Sequence, residues 1–262
     1  MKKHLTRLLP NGHISINVVL LMVLVLIASS TPFSRLLAAE LVVVAFGDST
    51  TAPRGELKVF ADLLQHELVG RKLDAKVINA GVGGNTTRRA MSRFETDVLA
   101  KQPDIVIIQF GINDAAVDVW KTPPAVKPRV SLQEYEANMR NFIRQLKSRR
   151  IQVVLMTPNC LSWTPKLKKL YGKSPYLPDE ESGFNVLLVQ YAKVVHRIGR
   201  EELVPVVDVY TAFEKHGKEK GRSVDDLLLD GMHPNRKGQQ IVFELLKASA
   251  PFKMGSTSGE TR

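Results

Sequence analysis

The chain has 262 residues, 44% of them hydrophobic and 24% charged, with one cysteine and a formal net charge of +11. That length and balance suit one compact domain with a real core, and no repeat period or long Ser/Gly- or Pro-rich linker divides it. The single Cys160 excludes an intrachain disulfide framework, and the basic excess comes without a nucleic-acid-binding motif.

The first 39 residues differ from the rest. "MKKHLTRLLPNGHISI" carries Lys2, Lys3 and Arg7 and no acid, and "NVVLLMVLVLIA" (17–28) is a continuous apolar stretch. Small and polar residues follow in "SSTPFSRLLAAE". This order describes a secretory signal, so the expected location is exported, periplasmic or extracellular. The apolar stretch is short for a spanning helix, which needs roughly 20 residues. Cleavage after Ala39 fits the small residues there. Bulky Leu37 leaves an uncleaved membrane tether through residues 17–28 as the alternative. No cysteine lies near the end of the apolar stretch, which argues against a bacterial lipoprotein anchor. Residues 1–39 hold four basic residues and no acid, so removing them lowers the net charge to +7. The remaining excess lies in runs such as "TPKLKKLYGKS" and "EKHGKEKGRS". Such runs are solvated faces, or they attract acidic polymers or membrane surfaces.

From residue 41, apolar runs alternate with helical patterns. "LVVVAF" (41–46), "AKVINA" (75–80), "DIVIIQF" (104–110), "IQVVLMT" (151–157) and "LVPVVDV" (203–209) predict strands. They are short, rich in β-branched residues and apolar on both faces, as parallel strands covered on both sides are. Between them, Leu57, Phe60, Ala61, Leu64 and Leu68 fall at helical spacing, as do Tyr135, Met139, Phe142, Ile143 and Leu146. Phe184, Leu187, Leu188, Tyr191 and Ile198 make a third stripe. A last helix is predicted near "HPNRKGQQIVFELLKA", with Pro234 in its first turn. The hydrolytic or binding domain is expected over 40–250 and a disordered tail over 251–262. Strict alternation implies a parallel sheet with helices on both faces, and such sheets bind ligands beyond the carboxyl ends of their strands.

Four motifs lie at that edge. Gly47-Asp48-Ser49 follows the first strand, where Ser49 either caps the next helix or serves as a nucleophile. "NAGVGGNTTRRA" follows the second strand and begins like a dinucleotide loop, but Thr86 occupies the third glycine position. A backbone oxyanion donor at Gly84 fits better, with Gly83 as the alternative. "FGINDAA" follows the third strand, and Asn113 offers a carboxamide N–H to a developing oxyanion or serves as a turn residue. "LLLDGMHPN" places Asp230 three positions before His233, close enough for the carboxylate to hold the imidazole's tautomer.

Taken together, these blocks resemble the SGNH or GDSL hydrolase superfamily from about residue 41 to 248. The resemblance implies an α/β fold: a flavodoxin-like three-layer α/β/α sandwich on a central five-stranded parallel sheet. It implies a serine esterase that works without a cofactor or metal. Ser49 would be the nucleophile, His233 its base, and Asp230 the residue that orients the base. The N–H groups of Ser49 and Gly84 and the Asn113 side chain would bind the oxyanion. Asp48 and Asp114 are read as loop-shaping, and Cys160 as a small loop residue.

Export and aromatic residues in the long loops favour a short-chain or carbohydrate O-acetyl esterase acting on a small-molecule or polysaccharide ester. Trp120, Trp163 and Tyr171, with Tyr176, are candidates to stack on sugar rings or line an acyl pocket, or they pack their own loops. A lysophospholipase or thioesterase is the alternative within the class. A metallophosphoesterase would need more converging His and carboxylate ligands than one motif-borne histidine provides. A non-catalytic carbohydrate-binding protein would have no need of Ser49 or His233.

Overall fold

The computed structural model describes residues 40–253. The signal or anchor expected at 1–39, with its tether at 17–28, and the tail from 254 lie outside the described residues.

All five predicted runs become strands of one sheet: β1 Leu41–Gly47, β2 Ala75–Gly81, β3 Ile105–Gln109, β4 Gln152–Met156 and β5 Val206–Val207. Every pairing is parallel, in the order β2-β1-β3-β4-β5. β1 therefore lies between the strands that follow it in sequence, and the loops leaving β1 and β3 part over a crevice. β5 is far shorter than the predicted 203–209. Leu203 sits in a left-handed turn (φ 52°) and Asp208 accepts a hydrogen bond from the Thr211 amide, so Val209 begins a helix instead.

Nine α-helices follow among the described residues: α1 Phe60–Gly70, α2 Thr87–Met91, α3 Phe94–Asp97, α4 Ile112–Ala115, α5 Leu132–Ser148, α6 Pro165–Tyr171, α7 Leu188–Glu201, α8 Val209–Lys218 and α9 Arg236–Ala248. α1, α9 and α8 pack side by side in one layer, while α5 contacts α2 and α7 in the other. This is the expected three-layer α/β/α sandwich. The predicted stripe of α5 is wholly buried: Tyr135, Met139, Phe142, Ile143 and Leu146. Its first turn is capped by the Ser131 hydroxyl, which accepts from the Glu134 amide. Of the third stripe, Phe184 lies in a separate 3-10 turn (Gly183–Asn185) ahead of α7. Pro234 precedes α9 rather than entering it, because Asn235 takes the cap position and accepts from the Lys237 and Gly238 amides. The packed structure also runs past residue 250: Phe252 is buried and its carbonyl accepts from Arg71.

The largest difference from expectation concerns Ser49. It does not begin a helix. α1 starts eleven residues later, after Pro53 and Gly55 interrupt the chain, and Ser49 lies in a separate turn. In that turn the Ala52 amide donates to the Asp48 carbonyl, and the Thr50 amide and hydroxyl both donate to Asp48 Oδ1 at 2.9 Å. Asp48, not Ser49, is the capping side chain.

The turn folds back tightly over the ends of β1 and β2. A Cβ on Gly81 would stand 2.3 Å from the Ala52 nitrogen, and one on Gly47 only 2.1 Å from Thr51 Oγ1. Arg93 fastens the same strand ends from behind. Its guanidinium donates to the carbonyls of Gly47 (2.9 Å) and Ala80 (2.7 Å), to Asn85 Oδ1 and to Asp97, and lies 4.6 Å from the centroid of the Phe46 ring. Its side chain is 14% exposed. Arg93→Ala should cost about 3 kcal/mol, because buried acceptors lose their donors. In a calorimetric scan that lowers Tm by roughly 6–12 °C; a fall under about 2 °C would mean these bonds contribute little.

Candidate active site

Three loops bring the candidate residues to the carboxyl edge of the sheet. The turn after β1 presents Ser49. The segment after β3 makes the single-turn helix α4, which carries Asn113. The loop before α9 carries Asp230 and His233, and it is closed on itself by a bridge between Leu228 and Pro234.

His233 Nε2 lies 2.9 Å from Ser49 Oγ, across 184 positions of sequence. On its other side, Nδ1 lies 2.8 Å from Asp230 Oδ2 and 3.0 Å from Oδ1. This network selects the tautomer with hydrogen on Nδ1, so Nε2 accepts from the serine hydroxyl. Asp230 Oδ1 also accepts from the backbone amides of Met232 (3.1 Å) and His233 (3.0 Å). Partial burial works to raise the Asp230 pKa. The His233 bonds and charge and the Met232 amide outweigh it and hold the carboxyl below its usual range. The imidazole thus has a fixed anion behind it and a hydroxyl in front.

The glycine block supplies a turn in which Gly84 adopts φ +70°, a conformation that favours glycine, whereas Gly83 does not. The two adjacent glycines thus differ in backbone conformation. The amides of Ser49 and Gly84 donate to no protein acceptor among the described residues. Asn113 is buried and held at both ends. Its Nδ2 donates to Asp48 Oδ2 (3.4 Å), and its Oδ1 accepts from Arg129 (3.2 Å). The carboxamide cannot flip without losing both contacts, and its second N–H makes no hydrogen bond among the described residues.

Asp48 and Asp114 are braces. Burial pushes the Asp48 carboxyl up, against the Thr50 bonds, the His233 charge and Asn113, which lower it. Asp114 accepts from the Thr87 amide (2.8 Å) and hydroxyl (2.6 Å), tying α4 to the start of α2. Burial pushes Asp114 up to about 7 despite those bonds, with the Asp48 charge adding to the rise. Cys160 is buried and donates to the Tyr210 carbonyl, and burial pushes its thiol up to about 12, well away from a reactive thiolate. Among the described residues, no three His, Cys, Asp or Glu side chains converge as metal ligands.

The aromatic candidates separate. Trp120 is 47% exposed. Trp163 stacks on Phe184 (4.4 Å between centroids) and donates to the Glu180 carbonyl, so its ring is packed within its own loop. Tyr171 and Tyr176 line a cavity of about 70 Å³ between Asn113 and Met232, with Ile112, Leu161 and Leu188 completing its apolar wall. Arg129 also borders this cavity. No signal in the local sequence marks Arg129, whose partners Asn113 and Asp118 lie 16 and 11 positions earlier in the same long loop segment.

A serine, a histidine and an aspartate in hydrogen-bonded series, beside free amides at the edge of a flavodoxin-like sheet, define the class: a carboxylic-ester hydrolase. Residues 45–241 match the family model "GDSL-like Lipase/Acylhydrolase family", and the chain belongs to that family. It is 31% identical over 174 residues to an acetylxylan esterase of Geobacillus stearothermophilus, covering 65% of this chain and 70% of that one. It is 30% identical to the uncharacterized lipoprotein YqeF of Bacillus subtilis, covering 77% of this chain and 86% of that one. The crystal structure of the acetylxylan esterase Axe2 from G. stearothermophilus superposes with a TM-score of 0.63 at 26% identity, covering 79% of this chain and 92% of that one. Catalytic mutants of Axe2 are substituted at a serine, an aspartate and a histidine, the last two three positions apart.

Proposed function

We propose that this protein is an exported carbohydrate O-acetyl esterase with Ser49 as nucleophile, and that its domain of residues 40–253 follows an N-terminal signal or anchor. The observation that carries the reading is the continuous series Ser49 Oγ–His233 Nε2, His233 Nδ1–Asp230. Ser49 Oγ attacks the ester carbonyl as its proton passes to His233 Nε2, and Asp230 stabilises the resulting imidazolium. The amides of Ser49 and Gly84 and the free N–H of Asn113 receive the oxyanion. Collapse breaks the bond to the alcohol oxygen, which takes the proton from His233, and leaves an acyl-serine. Water then attacks, loses its proton to His233, and releases acetate and the serine.

The 70 Å³ apolar cavity beside Asn113 supports a small acyl group. The Geobacillus relative is an acetylxylan esterase, which supports the same class of ester.

Two measurements test this. A fluorophosphonate should add covalently to the peptide containing Ser49, read by mass spectrometry. With a chelator present, the protein should hydrolyse p-nitrophenyl acetate at least tenfold faster than the octanoate. Faster octanoate turnover would favour a lysophospholipase-type acylhydrolase, and label on any other residue would displace Ser49.

A further inference from the structure

Gly84 also borders an open groove of about 560 Å³, separate from the apolar cavity but sharing Arg129 with it. Five cations line it, Arg88, Arg89, Lys121, Lys127 and Arg129, against one carboxylate, Asp118. Asp118 is already shared, accepting from Arg129 and pairing with Lys121 at 2.7 Å. Arg88 pairs with Glu134. Arg89 and Lys127 make no ion pair among the described residues, so the groove keeps a net positive field.

The exposed indole of Trp120 stands in the same groove, with the Lys121 ammonium 5.5 Å from its ring centroid. Two contacts join this surface to the reaction site. Gly84, an oxyanion donor on the reading above, lines it, and Arg129 in its wall holds the Asn113 carboxamide.

We propose that the groove is an alcohol-side subsite for an anionic sugar, so that the acetyl ester cleaved is carried by a uronate-bearing polysaccharide. This rests on the esterase reading, which places the acyl group in the apolar cavity beside Asn113 and leaves the groove beside Gly84 for the alcohol. A flat, half-exposed indole offers a face to a sugar ring, and Arg89 and Lys127 offer unpaired charge to its carboxylates. An uncharged xylan would leave the two cations without a partner.

The test compares acetate release from an O-acetylated oligogalacturonate with release from the same oligosaccharide after methyl-esterification of its carboxylates. At low salt kcat/KM should favour the acidic form about fivefold, the combined effect of two exposed charge pairs. The preference should sit in KM and close at about 1 M NaCl, where the Debye length is about 3 Å. In the double variant Arg89→Ala, Lys127→Ala the ratio of the two rates should fall to about one.

Equal rates on both substrates in the unmodified protein, or an unchanged ratio in the double variant, overturns the subsite. A separate arm measures binding of deacetylated oligogalacturonate by calorimetry in the Ser49→Ala protein. Loss of that binding in the double variant supports the subsite, and absence of any binding counts against it. Because this arm needs no turnover, it still judges the groove if p-nitrophenyl acetate is not hydrolysed. That second result would instead remove the esterase assignment.

Discussion

Ser49→Ala should lower kcat by about 10⁶-fold while leaving the fold intact, as removal of the nucleophile or base does in serine hydrolases whose triad acts as a unit. Among the described residues, the only side-chain partner of Ser49 Oγ is His233 Nε2. Asp48, not Ser49, organises the turn through its bonds to Thr50. Losing the hydroxyl therefore removes chemistry and little structure, and Tm should move by less than the shift expected for about 0.5 kcal/mol. His233→Ala should cost about as much as Ser49→Ala, and the double variant hardly more, because neither residue functions without the other. Some rate above the uncatalysed reaction should survive, since the amides that bind the oxyanion remain. Steady-state kinetics on p-nitrophenyl acetate, with a thermal scan of each variant, reads all of this. Strictly additive losses would mean that Ser49 and His233 act separately, and an unstable Ser49→Ala protein would mean the hydroxyl is a cap after all.

Asn113→Ala should reduce kcat by about 10²–10³ with little change in KM, the signature of a donor engaged in the transition state. The geometry explains why this asparagine is suited to the task. Arg129 and Asp48 fix the carboxamide from opposite ends, and one N–H is left over. A preorganised donor needs no reorientation as charge develops on the carbonyl oxygen. Arg129→Met should produce a milder fall in kcat, because the donor remains but its orientation loosens. If instead KM rises in proportion and kcat holds, Asn113 binds substrate without stabilising the oxyanion.

Much of the architecture was legible because its causes are local. β-branched apolar runs mark the strands, and the stripe from Tyr135 to Leu146 marks α5, whose members are all buried. Asp230 and His233 were readable as a pair because they share one short loop. The meeting of His233 with Ser49 was not, since spacing says nothing across 184 positions; it followed only from the resemblance. β5 was overextended because Val204 and Val209 look like strand residues, while the turn at Leu203 and the cap at Asp208 decide otherwise. The helix after Ser49 starts later than a capping serine suggests for a similar reason, because the neighbouring Asp48 takes the capping role in a separate turn. Arg93 and Gln239 leave no trace in local pattern, since each is a polar cross-link between segments far apart in sequence. Trp163 shows a related limit: an aromatic residue in a long loop has the same sequence signature whether it meets a ligand or Phe184.

Gln239 in α9 is one of those cross-links. It accepts from the Phe60 amide at the start of α1 and donates to the Thr50 carbonyl beside the nucleophile. The base and its carboxylate lie just ahead of that same helix. A chain that has been synthesised only as far as residue 225 therefore holds a serine with nothing to deprotonate it. On the proposed mechanism, hydrolysis becomes possible when the last helix docks and seats the histidine, so the appearance of activity in a refolding experiment would time the closing event of folding.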